Sequence, residues 1–234
     1  MTTGGGFAHP ELLVDAAWVA AHQDDPNVAV VDGDVEGGYL RGHIAGAVRV
    51  PDNYEKDPST GRVHILPPDQ FANLCQNLGI GDDTLVIAYD NNQGLYAARL
   101  WWALTYYGHP NVRVLDGGWR RWVQEGRAIS FDTPKPNTRV KFTPKVDDSI
   151  MVRVDELKAA CSLTDSALWD VRSDGEYDGS NNRGNRRAGH VPGAVHLEWF
   201  NTVDRETHRL KSPQEIRKLL NERGITPDKA VFSY

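Results

Sequence analysis

Cysteine is scarce: the 234-residue chain has 2, Cys75 and Cys161. So few build no disulfide framework, and neither stands in a CxxC or CxxxH pair with zinc-site spacing. This pattern predicts a reducing compartment, the cytoplasm. Clustered charge of one sign is missing as well. Lys and Arg total 26 against 32 Asp and Glu, a formal net charge of −6, and the charges are scattered rather than gathered in blocks. Phosphate contacts need clustered cations, so nucleic acid is a poor partner. Long hydrophobic runs are also lacking. The most apolar stretch, Ala97 to Tyr107, is interrupted by Arg99 and is far short of the ~20 residues of a membrane span. The start, Met1 to Gly6, has neither the basic nor the apolar region of a signal peptide and reads as a flexible lead-in.

With 40% hydrophobic residues, 22 Gly and 13 Pro, the composition is that of a globular protein, which excludes disordered and fibrous classes. The length suits one large domain or two small ones.

An internal repeat decides between them. Tyr39-Leu40-Arg41-Gly42-His43-Ile44-Ala45-Gly46-Ala47-Val48 returns as Arg187-Ala188-Gly189-His190-Val191-Pro192-Gly193-Ala194-Val195, with Gly, His, Gly, Ala and Val in one register. Each copy follows a short β-rich run ending in aspartate, Val28 to Asp32 and Ala167 to Asp170. Further on, Pro68-Asp69-Gln70-Phe71 through Gly79-Ile80 is echoed by Pro213-Gln214-Glu215-Ile216 through Gly224-Ile225. Within a copy, short apolar strands alternate with amphipathic helices, the pattern of a parallel sheet flanked by helices. Predicted strands are Val28–Val31, Ala47–Val50, Thr84–Tyr89 and Val112–Leu115. Predicted helices are Ala16–His22 capped by Asp15, Pro68–Leu78 closed by Gly79, Leu95–Tyr107 and Trp119–Glu125. The Pro-rich stretch around Pro134 and Pro136 suits a linker. The expected organisation is a first α/β domain over 1–135, a linker over 136–150 and a second α/β domain over 151–234.

Aligned on their third strands, Leu85–Tyr89 corresponds to Ala230–Tyr234. The loop that follows Tyr89, beginning at Asp90, therefore has its counterpart at the position after Tyr234. A parallel sheet built only to this point is expected to leave apolar faces uncovered.

These motifs resemble the tandem-domain rhodaneses, thiosulfate and 3-mercaptopyruvate sulfurtransferases. The first copy supplies Tyr39-x-Arg41-Gly42-His43-Ile44-x-Gly46-Ala47 and Leu115-Asp116-Gly117-Gly118-Trp119-x-x-Trp122. The second supplies Trp169-Asp170-Val171-Arg172-Ser173-x-x-Glu176-Tyr177-x-Gly179, the Arg187-to-Ala194 segment and Glu198-Trp199. The resemblance covers residues from about 11 to 234 and implies two similar domains, the first inactive and the second carrying a nucleophilic cysteine. That cysteine is expected immediately after Tyr234, so no catalytic residue is named within the chain, and the remainder of the protein, as a separate chain or a continuation, is the expected partner. The implied reaction moves sulfane sulfur from a small anionic donor through a cysteine persulfide to cyanide or a thiol. Such chemistry needs a loop whose backbone N–H groups cradle an anion before a helix N-terminus, and it implies no metal or organic cofactor.

In the first copy this loop opens with Asp90-Asn91, a pseudo-site in which a carboxylate replaces the nucleophile. For donor binding, the resemblance points to Arg187, with its neighbour Arg186 and with Arg172 as further candidates. A salt bridge to Asp170 or Glu176 is the alternative for Arg172. Asp170 and His190 read as structural groups near the site, as do Asp32 and His43 in the first copy. Cys75 and Cys161 fit helix positions and read as core filling. A non-catalytic rhodanese-like binding or regulatory module is the alternative function.

Overall fold

The computed structural model describes residues 6–52, 54, 56 and 65–234. Most of the expected lead-in, Met1 to Gly5, lies outside them. The chain forms two compact units. One runs to Asp148 and takes in Arg205–Arg209, and the other comprises Ser149–Asp204 and Leu210–Tyr234.

In the first unit the elements follow in order: β1 (Leu13–Val14), α1 (Ala16–His22), β2 (Val28–Asp32), α2 (Glu36–Leu40), β3 (His43–Ile44), β4 (Val48–Arg49), α3 (Pro68–Asn77), β5 (Leu85–Tyr89), α4 (Leu95–Tyr106), β6 (Val112–Leu115), α5 (Gly118–Gln124) and β7 (Ile129–Ser130). Five strands form a parallel sheet in the order β1-β6-β5-β2-β4. Strands β3 and β7 pair separately and antiparallel. The helix starts follow from local chemistry. Asp15 accepts the Trp18 N–H at 2.7 Å to open α1, and Pro68 sits in the first turn of α3, where its missing N–H costs nothing. Gly79 takes φ +76 to close α3, letting the Ile80 N–H reach back to the Cys75 carbonyl at 2.8 Å. At the centre, Val86, Ile87 and Ala88 of β5 are completely buried. Burial of a Val or Ile side chain contributes about 1.5–3 kcal/mol, so this strand anchors the unit.

The second unit contains α6 (Val154–Ala160), β8 (Ser166–Asp170), α7 (Asp174–Asp178), β9 (Val195–His196), α8 (Pro213–Asn221) and β10 (Ala230–Ser233). Its parallel sheet, β10-β8-β9, reproduces the β5-β2-β4 arrangement of the first unit. Ser212 opens α8 by a reciprocal box with Glu215, next to Pro213. The difference lies at β10. Val231 is 44% exposed where its counterpart Val86 is at 0%, because β5 is flanked by β2 and β6 whereas β10 pairs only with β8 among the described residues. The buried core of this unit is correspondingly small, centred on Ala160, Leu168 and Ala194. Among the described residues no helix is long and apolar enough to cross a membrane.

The stretch expected as linker, 136–150, is mostly packed on the first unit. Phe142 is buried beside the Phe71 and His109 rings, and Thr143 donates its N–H and hydroxyl to Asp82 at 2.6 and 2.8 Å. The Lys145 and Asp147 N–H groups bond the carbonyls of Tyr107 and Tyr106. Burial of Phe142 and these hydrogen bonds together dock the segment.

Candidate functional site

In both units the central strand ends in a buried aspartate and the neighbouring strand ends beside a tyrosine. Asp32 closes β2 opposite Tyr89 of β5. Asp170 closes β8, and Tyr234 follows β10 with its N–H on the Trp169 carbonyl. Each tyrosine hydroxyl accepts an N–H from the Gly-His turn, from Ile44 at 3.2 Å and from Val191 at 2.8 Å.

The turns themselves match. His43 stacks on Tyr39 with centroids 3.8 Å apart, and His190 stacks on Tyr177 at 3.8 Å. The Nδ1 atoms lie 3.0 and 2.8 Å from the carbonyls of those same tyrosines, and the tyrosine hydroxyls donate to Ala47 and Ala194. Gly46 and Gly193 both have positive φ, +76 and +81, which explains glycine at that step of each copy. The two histidines are therefore parts of the turn. They differ in cover: His43 is buried, with Nε2 against the Asp132 carbonyl at 3.0 Å, and His190 is exposed.

After Tyr89 the chain curls into a loop around Asp90. The buried Asp90 carboxylate accepts N–H groups from Asn92 at 2.8 Å, Gly94 at 2.9 Å and Ala97 at 2.8 Å. Burial pushes its pKa up, and these N–H bonds act against that rise. Asn91, beside it, is exposed. The loop is held from behind by Gly118: a Cβ there would lie 2.3 Å from the Asp90 carbonyl oxygen, which also accepts the Trp119 N–H at 2.8 Å. Here the Asp-Gly-Gly-Trp motif finds its physical reason. The arrangement is a cradle of backbone donors before a helix, filled by a carboxylate of its own chain.

In the second unit the charges are arranged differently. Two residues after the strand aspartate stands Asp34 in the first copy and Arg172 in the second. Without a cation, Asp32 is pushed up to about 6 by burial. Asp170 is completely buried too. Burial raises its pKa, but the bonds from Arg172 outweigh this and hold the carboxyl below its usual range. Arg172 Nε lies 2.9 Å from Oδ1 and Nη2 lies 2.5 Å from Oδ2 of Asp170. Nη2 also donates to the Gly189 carbonyl at 3.0 Å, and the guanidinium carbon stands 5.2 Å from the Tyr234 ring centroid.

Of the three arginines expected at the donor, Arg172 has its fork on Asp170, the ion-pair alternative to its place as an anion ligand. The reason is spacing: two residues beyond a strand end, the side chain folds back onto the carboxylate it follows. Arg186 and Arg187 are exposed, and among the described residues neither guanidinium makes an ion pair. Arg183 of the same segment bonds Glu176 at 3.3 Å. Tyr234 is the residue whose part in the site sequence reasoning missed; its alignment with Tyr89 at the end of both third strands was the available signal. Cys75 is buried and its thiol is pushed up by burial, while Cys161 is exposed with Sγ on the Leu157 carbonyl. Neither belongs to this site.

Comparison with known proteins settles the ancestry of this architecture. The model of the rhodanese-like domain matches residues 15–125 and again 153–234. The chain belongs to the rhodanese family. This rhodanese is 36% identical to the sulfur carrier protein TtuD of Thermus thermophilus, over 98% of the chain and 84% of that protein. It is 35% identical to the putative thiosulfate sulfurtransferase SseA of Mycobacterium bovis, over 99% of the chain and 79% of that protein. Among solved structures, the 3-mercaptopyruvate sulfotransferase SseA of Escherichia coli superposes with a TM-score of 0.83 at 26% identity, covering 95% of this rhodanese and 87% of that chain.

Proposed function

We propose that this rhodanese is a sulfurtransferase that takes sulfane sulfur from thiosulfate or 3-mercaptopyruvate and passes it to cyanide or a thiol. The observation that carries the reading is the Asp90 cradle, in which three N–H groups converge on one anion at the end of β5. In the second repeat the corresponding position is the residue after Tyr234, and we assign it to the cysteine that carries the persulfide. Its thiolate attacks the outer sulfur of thiosulfate, forming an S–S bond to the cysteine as the donor's own S–S bond breaks and sulfite leaves. With mercaptopyruvate the C–S bond breaks, and pyruvate leaves as the enolate and is protonated. Cyanide or a thiolate then takes the outer sulfur and regenerates the thiolate. Cradle donors lower the thiol pKa and stabilise the persulfide anion in each half-reaction.

Arg186 and Arg187 supply the cationic recognition of the donor's sulfonate or carboxylate, Arg187 first because it adjoins the Gly-His turn. The names of the relatives, sulfurtransferases and a sulfur carrier, favour this over a non-catalytic module. The partners proposed are the small donor and acceptor and the rest of the same protein. The cytoplasm is the proposed location, since both described cysteines are free thiols.

The test is thiocyanate formation by the full-length protein with each donor, in the wild type and in R186A/R187A. Removing both guanidinium groups is expected to raise the donor KM about 30-fold while the cyanide KM stays unchanged. Absence of thiocyanate with either donor would sink the reading in favour of the binding module.

A further inference from the structure

The segment that carries Arg186 and Arg187 makes few attachments of its own. Its turns are local: the Arg183 and Gly184 N–H groups bond the side chains of Asn181 and Asn182, and the Asn185 N–H bonds the Asn182 carbonyl. Its near end is held by the Asn181 N–H on the Gly175 carbonyl and by Arg183 on Glu176, and its far end is attached over three consecutive residues. The Gly189 carbonyl accepts from Arg172 Nη2, the His190 ring is bonded to the Tyr177 carbonyl, and the Val191 N–H bonds the Tyr234 hydroxyl. Arg172 stands at the junction of this end with the strand termini. It grips buried Asp170 through two nitrogens, reaches Gly189 with one of them, and lies over the ring of Tyr234. The first copy has nothing comparable, because Asp34 occupies this place and only its backbone N–H meets Asp32.

We infer that Arg172 is a positioning residue for donor binding: it ties the base of the Arg186–Arg187 segment to the end of β8 and to Tyr234, and so restrains Arg187. It acts through Arg187 and does not itself bind the donor. This rests on the sulfur-transfer reading. The physical reason is economy of freedom. A guanidinium on a mobile loop loses its entropy when the donor binds, whereas one on a loop already fixed at its base loses less. Arginine is required because a planar fork can serve two carboxylate oxygens and a carbonyl at once, which an ammonium cannot.

The test is a double-mutant cycle on the full-length protein with R172K, R187A and the double variant, following thiocyanate formation. R172K keeps a cation beside Asp170 and so preserves the fold while releasing Gly189. It is expected to raise the donor KM about tenfold with kcat and the cyanide KM within twofold, and to add nothing further in the R187A background. Hydrogen exchange gives a second readout. Protection at Val191 should fall in R172K while that of the β8 amides is retained; a loss in both would mark a merely structural role and overturn the inference. An active wild type with independent, multiplicative effects of R172K and R187A overturns it alone. A wild type that forms no thiocyanate overturns the sulfur-transfer reading and this inference with it.

Discussion

Gly118→Ala is expected to destabilise the first unit by about 4 kcal/mol, enough to threaten folding. Two independent costs add. Gly118 has φ +50, a left-handed conformation that costs an alanine about 1 kcal/mol. The larger cost is steric, because the new Cβ would sit 2.3 Å from the Asp90 carbonyl oxygen, a backbone atom with no rotamer by which to retreat. Relief requires the loop to move, which would break the Trp119 N–H bond to that carbonyl and disturb the donors on the Asp90 carboxylate. Gly46→Ala is the control. It carries positive φ, +76, but a Cβ there meets nothing within 4 Å, so strain alone, about 1 kcal/mol, is expected. Urea unfolding of the two variants checks the difference, and equal midpoints would show that the Gly118 contact is not limiting.

Asp170→Asn is expected to cost the second unit about 2 kcal/mol at pH 7, because it leaves the half-buried Arg172 guanidinium without its carboxylate. The sign of the pH dependence follows from the lowered pKa. A carboxyl whose folded pKa is depressed stabilises the fold above its unfolded value, near 3.8, and that contribution is lost as pH falls through the folded value. The stability gap between wild type and D170N should therefore be full at pH 7 and close in acid below pH 3.8. Asp32→Asn, by contrast, removes a carboxyl whose folded pKa is raised to about 6. Its stabilising contribution is present below the unfolded value and lost as pH rises through 6, so the same substitution has the opposite pH trend in the first copy. A D170N gap that is small and flat with pH would contradict the bonding found around Arg172.

The contrast between Asp170 and Asp32 also shows what sequence could and could not reveal. The repeat, the parallel α/β class and the strands β2, β5 and β6 were readable because each carries a run of apolar residues bounded by turn chemistry. The two-residue strands β1, β3 and β7 were not, since so short a segment has no periodicity; Leu13–Val14 reads as lead-in to α1, yet pairs with β6. At the site, Asp90 and the Gly-His turns were identifiable because they recur or replace one another between copies. The fate of Arg172 was open, for an arginine near a strand end serves an anion ligand or an ion pair equally well until the partner's position is known. The docking of Phe142 depends on contacts with Phe71 and His109, distant in the chain, which no local pattern encodes.

The proposed reaction carries sulfur as a persulfide on the cysteine expected after Tyr234. The most direct measurement is the intact mass of the full-length protein under non-reducing conditions, after treatment with thiosulfate or 3-mercaptopyruvate. A gain of ~32 Da, one sulfur atom, is expected, mapping to the peptide that follows Tyr234 and disappearing on addition of cyanide. No gain, or a gain confined to Cys75 or Cys161, would contradict the account.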